Sequence, residues 1–133
     1  MVGTITREEL NKNLALHESL RMAKENRDAL RRKAGVQSPN LDGMPHGSGV
    51  TDRTGTLAAL IADMSTKIED LEKEVAANDN RIREFSNSLD DVRLQVVIPL
   101  RFILCMSWGE VADMLGYGVS EETIRKLYYK AVK

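Results

Sequence analysis

The chain has 133 residues, of which 42% are hydrophobic and 29% are charged, so it is long enough for one domain or for a small domain with a helical extension. Its formal net charge of −1 does not favour a simple DNA-binding protein, because affinity for DNA comes largely from Lys and Arg side chains that neutralise phosphate. The single cysteine, Cys105, excludes an internal disulfide and suits a reducing compartment. No apolar run reaches membrane-spanning length, and the first residues lack the apolar core of a signal peptide. We therefore expect a cytoplasmic protein with no membrane partner.

The first predicted element is a helix over about residues 6–34. Thr6 and Glu9 have the spacing of a capping box at its start, and Gly35 is predicted to end it. This helix has an apolar face and, opposite to it, a basic face, with six bases against two acids in residues 21–33. Such a face is either solvated, paired with an acidic helix or in contact with phosphate. The apolar face, which Arg27 interrupts, consists of Leu16, Leu20, Ala23, Leu30 and Ala34.

A long loop is predicted over residues 35–55, because five glycines and two prolines prevent a helix or strand from running through it. The Gly-Lys-Ser/Thr sequence of a phosphate-binding loop is missing from this segment. His46 stands without a second metal ligand nearby, so we expect no metal site. Asp52 or Thr54 is predicted to cap the helix that follows.

The second predicted helix, over about residues 53–85, carries the strongest periodic pattern of the chain. Its seam alternates at spacings of four and three, as in a coiled coil, and consists of Leu57, Ile61, Met64, Ile68, Leu71, Val75, Asn78, Ile82 and Phe85. Acids exceed bases around the seam, which complements the basic first helix. We therefore predict an antiparallel, coiled-coil-like helical hairpin over residues 1–87, through which the chain forms a homo-oligomer.

Residues 88–133 are predicted to form a second domain with a tri-helical core. Ser88 is expected to cap its first helix, and Pro99 to kink or restart that helix near Ile98, because proline has no N–H to donate. The dense apolar patch over residues 100–104 then supplies the third helix of the core. Cys105 is expected to be buried there as a small hydrophobic residue.

The last segment, SWGEVADMLGYGVSEETIRKLYYKAVK, has the pattern of a helix-turn-helix. Ser107 and Glu110 form a capping box, Gly116 ends the first helix, residues 117–119 form the turn, and Ser120 caps the second helix. The inward residues are expected to be Trp108, Val111, Ala112 and Leu115 on the first helix and Ile124, Leu127 and Ala131 on the second. The same pattern is common in all-α proteins that bind no nucleic acid.

The outward residues of the second helix are the candidate contacts with double-stranded DNA, and we call them the outward face: Glu121, Glu122, Thr123, Arg125, Lys126, Tyr129 and Lys130. Arg101, which lies ahead of this segment, is expected to add a phosphate contact. Four acids balance four bases over residues 107–133. A single copy is therefore expected to bind DNA weakly and to need a second copy or a larger partner on the duplex.

Two stretches resemble phage-encoded transcriptional regulators of the ArpU/RinA type, and together they cover about a third of the chain. The run RFILCMSWGEVADMLGYGVSEETIRKLYYKAV is similar to the sigma-factor-like helix-turn-helix of that family, which is akin to the module that reads the −35 promoter element. The loop SPNLDGMPHGSGVTD is similar to the glycine-rich segment that precedes the second helix in that family. The resemblance implies a DNA-binding transcription regulator in the cytoplasm of a bacterial host cell. It also implies that the regulator acts as a dimer or with host RNA polymerase.

The resemblance further implies roles at matching positions of the outward face. Glu121, Glu122, Arg125 and Lys126 would face DNA at the start of the recognition helix. Lys126 is suited to guanine O6 and N7, and Glu122 to cytosine N4, each with about 1–3 kcal/mol of discrimination. Glu121 and Glu122 do not favour contact with phosphate, because a basic residue at this position would strengthen DNA binding.

Two other functions fit the same pattern. The chain would serve as a phage packaging or assembly adaptor, similar to a small terminase subunit, if the hairpin built a ring. It would be an interaction protein without a nucleic-acid role if the helix-turn-helix only packed helices. We expect no enzymatic activity and no cofactor, because paired carboxylates, a nucleophile with its base and a metal cluster do not appear at usable spacing.

Overall fold

The computed structural model describes residues 4–37, 48–116 and 118–133, and these ranges contain helices without any strand. The helices are α1 (Arg7–Gln37), α2 (Ser48–Asn87), α3 (Val92–Phe102), α4 (Trp108–Leu115) and α5 (Glu121–Ala131). The predicted all-α class is confirmed, with two long helices followed by three short ones.

The chain divides into two compact units. Unit 1 comprises Met1–His17 and Glu74–Lys133, and unit 2 comprises Glu18–Lys73. This division differs from the predicted domains 1–87 and 88–133, because the start of α1 and the end of α2 share a hydrophobic core with the three short helices. The side chains that join the long helices to this core are Leu10, Ile82 and Phe85, and Ile5, just ahead of α1, packs with them.

The core of unit 1 is built around the last residue of α3, Phe102, which is 1% exposed. α3, α4 and α5 all pack against one another. The ring of Phe102 lies 5.4 Å from that of Tyr128, which in turn lies 5.2 Å from that of Trp108. Each large apolar side chain buried here contributes about 1.5–3 kcal/mol. These aromatic contacts fix the orientation of α5, because they hold its inward face against α3 and α4.

Within unit 1 the first turns of α1 run antiparallel to the last turns of α2. Glu9 pairs with Arg81 at 3.6 Å, whereas Asn13 and His17, further along α1, both contact Asp79 at 2.9 Å, further back along α2. The buried seam residues of α2 in this unit are Val75, Ile82 and Phe85, as the heptad pattern predicts.

Unit 2 contains the remaining turns of α1 and α2, and Lys24 of α1 pairs with Glu72 of α2 at 3.3 Å. Ile68 is its one fully buried apolar side chain among the described residues, at 2% exposed. Arg27, which interrupts the apolar face of α1, is half-buried. The other predicted apolar positions of this unit are also half-buried: Leu20, Ala23, Leu30, Ala34, Leu57, Ile61, Met64 and Leu71.

The ends of the long helices differ from those predicted. α1 continues past Gly35 to Gln37, and α2 begins at Ser48, so Asp52 and Thr54 lie inside the helix and do not cap it. Glycine in a helix interior costs only about 1 kcal/mol relative to alanine, which a long packed helix tolerates. The rest of the predicted loop, residues 38–47 with His46, lies outside the described residues.

The predicted cap of α3 is wrong, and the predicted restart of the helix at Pro99 does not occur. Asp91 caps the helix by accepting a hydrogen bond from the backbone N–H of Arg93 at 2.8 Å, whereas the hydroxyl of Ser88 donates to the Phe85 carbonyl at the end of α2. Pro99 lies inside α3, which runs on to Phe102 without restarting. The loss of one backbone hydrogen bond at Pro99 is tolerated because the helix buries an apolar side chain on either side of it, at Ile98 and Phe102.

The chain turns sharply after α3, and this corrects the expectations of a third helix over residues 100–104 and of a buried Cys105. Residues 100–102 are the last turn of α3, which is itself the third helix of the core, and the helix does not extend to Leu104. Leu104 is 65% exposed, and Cys105 is exposed with a backbone φ of 60°. The left-handed conformation of Cys105 redirects the chain from the end of α3 toward Ser107. Such a turn leaves both side chains on the surface, although their residue types predicted burial.

Candidate nucleic-acid interface

The first helix of the predicted helix-turn-helix is α4, and a complete capping box fixes its start. The Ser107 hydroxyl accepts from the backbone N–H of Glu110 at 3.1 Å, and the Glu110 carboxylate accepts from the backbone N–H of Ser107 at 3.1 Å. These hydrogen bonds hold the pKa of Glu110 below its ordinary value, because they favour the ionised carboxylate. Val111 and Ala112 are buried and Trp108 and Leu115 are half-buried, so the predicted inward face is confirmed.

The turn between α4 and α5 depends on two glycines with positive φ, Gly116 at 90° and Gly118 at 80°. The backbone N–H of Gly116 donates to the Ala112 carbonyl at 3.3 Å and closes the helix. Residues with a Cβ adopt these backbone angles at a cost, so the glycines allow α5 to begin within a few residues. Tyr117, also predicted in the turn, lies outside the described residues.

The second helix, α5, is capped by Ser120, whose hydroxyl accepts from the backbone N–H of Thr123 at 3.1 Å. Ile124 is buried and Leu127 is half-buried, as predicted. Ala131 is exposed, and the inward positions near the end of the helix are filled by Tyr128 and Val132. Tyr128, rather than Ala131, occupies the inward position because its ring reaches Phe102 and Trp108 across the core.

The outward face of α5 is exposed along its whole length, as the spacing predicts. All seven residues of the outward face are exposed: Glu121, Glu122, Thr123, Arg125, Lys126, Tyr129 and Lys130. This exposure makes the face available to a partner, while its role in binding DNA stays a prediction.

Two of the bases on the outward face are paired with the glutamates one turn earlier. The Arg125 guanidinium lies 3.6 Å from the Glu121 carboxylate, and the Lys126 ammonium lies 3.2 Å from the Glu122 carboxylate. Such exposed pairs are worth about 0–1 kcal/mol each, so they break readily when a better partner arrives. They nevertheless neutralise the start of the helix, where the sequence placed the base-reading residues.

Arg101 is not brought together with the outward face. It is half-buried on α3, where its Nη1 donates to the Met106 carbonyl at 2.8 Å and its guanidinium lies 5.2 Å from the Trp108 ring. These contacts hold the turn after α3 against α4. We therefore leave Arg101 out of the candidate interface and assign it a structural role.

Arg7, which the sequence did not single out, lies beside the outward face. Its backbone N–H donates to the Lys133 carbonyl at 3.2 Å, and its guanidinium lies 5.0 Å from the centre of the Tyr129 ring. No local pattern signals this contact, because its partners lie at opposite ends of the sequence.

Tyr128 is a second residue for which the sequence pattern predicted neither an inward nor an outward position. It is 2% exposed, its hydroxyl has no hydrogen-bond partner among the described residues, and burial raises its pKa to about 12. The ring is therefore a packing element under the outward face, and its hydroxyl stays protonated at neutral pH.

Within the described ranges, no group of three or more His, Cys, Asp and Glu side chains is arranged to hold a metal ion. None of the helices there is long and apolar enough to cross a membrane. No known protein family, no curated protein and no solved structure matches the chain. Its function is therefore inferred from the geometry of unit 1.

Proposed function

We propose that the chain binds double-stranded DNA through the outward face of α5 and regulates transcription as a helix-turn-helix protein. The observation that carries the proposal is the contrast between the two sides of α5. Ile124 and Tyr128 lock the inward side into the core of unit 1, and every predicted contact residue on the other side is exposed. A rigid, capped helix with one free polar face is what entry into the major groove requires.

The ion pairs on α5 favour specific over nonspecific binding. Lys126 leaves Glu122 at a cost of about 0–1 kcal/mol, and a bidentate contact with guanine returns about 1–3 kcal/mol. Where no guanine is presented, Lys126 keeps its glutamate and the carboxylate repels phosphate. The interface therefore gains most binding free energy at a DNA sequence that presents a guanine to Lys126, and little at other sequences.

The balanced charge of the interface calls for a second copy or a larger partner on the DNA. Four acids and four bases over residues 107–133 give a single copy little attraction for the duplex. We propose a homo-oligomer through the helical hairpin, supported by the half-buried seam of unit 2, and host RNA polymerase as a further partner. The resemblance of the helix-turn-helix and the glycine-rich segment to ArpU/RinA-type regulators supports a phage or prophage origin and a cytoplasmic place of action in a bacterial host.

A second candidate function is an interaction protein without a nucleic-acid role, and the ion pairs on α5 favour it as well. A face whose bases are already paired can contact another protein without a large cost in charge repulsion. A packaging or assembly adaptor is the related case in which the hairpin builds a larger ring. A ring-sized oligomer in solution would favour that adaptor.

The test of the proposal is selection of binding sites from random double-stranded DNA, followed by gel shifts with and without host RNA polymerase. Lys126→Ala is expected to relax sequence preference, and Lys130→Ala to weaken all sequences equally and reduce the salt dependence. Lys67→Ala, which removes an exposed base from unit 2, is the matched control and should change neither. Absence of an enriched sequence under both conditions, or identical effects of the two α5 variants, would contradict sequence reading by α5.

A further inference from the structure

The fold joins the two ends of the described chain at one place in unit 1. Arg7 begins α1, and its backbone N–H donates to the carbonyl of Lys133, just after α5. The guanidinium of Arg7 lies over the ring of Tyr129, which is 50% exposed, and Lys130 follows on the surface of α5. We call the group formed by Arg7, Tyr129, Lys130 and Lys133 the terminal patch.

The terminal patch carries positive charge that the described residues do not neutralise. Arg7, Lys130 and Lys133 have no carboxylate within ion-pair distance among the described residues. The bases at the start of α5, by contrast, are both paired with glutamates. Glu8, exposed next to Arg7, is the nearest acid in sequence and still leaves the patch positive. The unpaired charge of this side of unit 1 therefore lies at the end of α5 and not at its start.

The guanidinium of Arg7 also keeps its donors available. A guanidinium that lies over an aromatic ring uses its face, and its N–H groups point outward in the plane. Among the described residues, the side chain of Arg7 donates no hydrogen bond, and the residue is only half-buried. A planar fork of this kind suits the paired oxygens of a phosphate.

We propose that the terminal patch binds the DNA backbone at the edge of the groove that α5 enters. This inference rests on the proposed function of α5. Glu122 and Lys130 are eight residues apart on α5, which corresponds to about 12 Å along a helix. The major groove is also about 12 Å wide, so a helix that reads bases with its start brings its end to the phosphates. Arg7 then holds the phosphate with its fork, and the Tyr129 hydroxyl and the two lysines add donors.

The test compares Arg7→Gln with Arg7→Lys in the full chain, using DNA that carries the selected site. Arg7→Gln is expected to lower affinity on the order of five-fold at physiological salt and to reduce the slope of log affinity against log salt by about one. Sequence preference should not change, because phosphate contacts do not read bases. Arg7→Lys should keep the slope, since the positive charge remains. Lys12→Gln, which removes an exposed base from the same helix, is the matched control and should also keep it.

Circular dichroism and the melting temperature show whether Arg7→Gln still folds. If it does not, the double variant Lys130→Gln with Lys133→Gln changes only exposed side chains and should reduce the slope by about two. A slope equal to that of the unmodified chain in these variants, with the selected site still bound, overturns the terminal patch and leaves the proposed function standing. Failure of the unmodified chain to bind any DNA overturns both.

Discussion

At the scale of single residues, Asn13 contributes more to unit 1 than its residue type suggests. It is 1% exposed, and its Nδ2 donates to the Asp79 carboxylate and to the Phe102 carbonyl, each at 2.9 Å. The carbonyl of Phe102 lies at the end of α3, where backbone acceptors lack helical partners. One amide therefore ties α1, α2 and α3 together. From the sequence alone, Asn13 is expected to be a polar surface residue, because neither Asp79 nor Phe102 is close to it along the chain.

Asn13→Ala is expected to destabilise the protein by about 1–3 kcal/mol, because it leaves the buried Phe102 carbonyl without its partner. The measurement is urea unfolding followed by circular dichroism. Asn11→Ala, at an exposed position of the same helix, is the matched control and should stay within about 0.5 kcal/mol of the unmodified chain. Equal stability of the two variants would show that the amide is not a structural tie.

At the scale of elements, α4 depends on a capping box whose contribution changes with pH. The pKa of Glu110 is lower in the folded state than its ordinary value of 4.5, chiefly because its carboxylate accepts a hydrogen bond from the backbone N–H of Ser107. A depressed folded-state pKa means that the stabilisation is present above the unfolded pKa and is lost as the pH falls through the folded one. The box should therefore support α4 at neutral pH and weaken in acid.

Glu110→Gln is expected to lower stability at neutral pH and to make stability fall less steeply below pH 4.5 than in the unmodified chain. Chemical unfolding at a series of pH values measures both effects. Asp113→Asn is the control, because Asp113 is an exposed acid of the same helix with no hydrogen bond or ion pair among the described residues. Parallel pH profiles for Glu110→Gln and the unmodified chain would show that the cap does not titrate as the structure implies.

Periodic patterns predicted the elements, and tertiary contacts decided what periodicity could not. The heptad seam of α2 and the exposed side of α5 follow from spacing alone, because burial in a helix repeats every three to four residues. Spacing did not predict which of two neighbouring residues takes a given role. Asp91, and not Ser88, caps α3, and Tyr128, and not Ala131, fills the core. Each depends on which side chain reaches a distant partner. The same holds for the candidate interface, where Arg7 joins α5 across the whole length of the chain.

At the scale of the whole molecule, unit 2 has an apolar seam that two helices cover only in part. Ile68 is the one fully buried apolar side chain among its described residues, and Leu60, beside the seam, is 47% exposed. So few buried side chains stabilise a separate helical pair weakly, since each contributes about 1.5–3 kcal/mol against the conformational entropy of the ordered residues.

The charges of unit 2 permit a second copy of the same unit as the partner that covers the seam. Within the described residues of unit 2, the charges of α1 without an ion pair are all basic, whereas those of α2 are three acids and three bases; they are Arg31, Arg32 and Lys33 on α1, and Asp63, Glu69, Asp70, Arg53, Lys67 and Lys73 on α2. An arrangement that places α1 of one copy beside α2 of the other brings the bases of α1 close to acids of α2 at both contacts of a two-fold dimer, while the bases of α2 weaken this attraction. It also covers the half-buried seam of both copies.

Leu60→Glu is expected to convert the proposed dimer to a monomer, because it places a charge where the second copy would cover the seam. Light scattering with size-exclusion chromatography measures the mass, and the unmodified chain should show a dimer whose melting temperature rises with protein concentration. Leu104→Glu, at a 65% exposed position of unit 1, is the matched control and should remain dimeric. Leu60 is already half-exposed in one copy, so the variant should keep its helical content, and its loss of mass then reports on association and not on folding. A monomer at all concentrations of the unmodified chain would remove the second copy from unit 2 and leave DNA binding to depend on a larger partner.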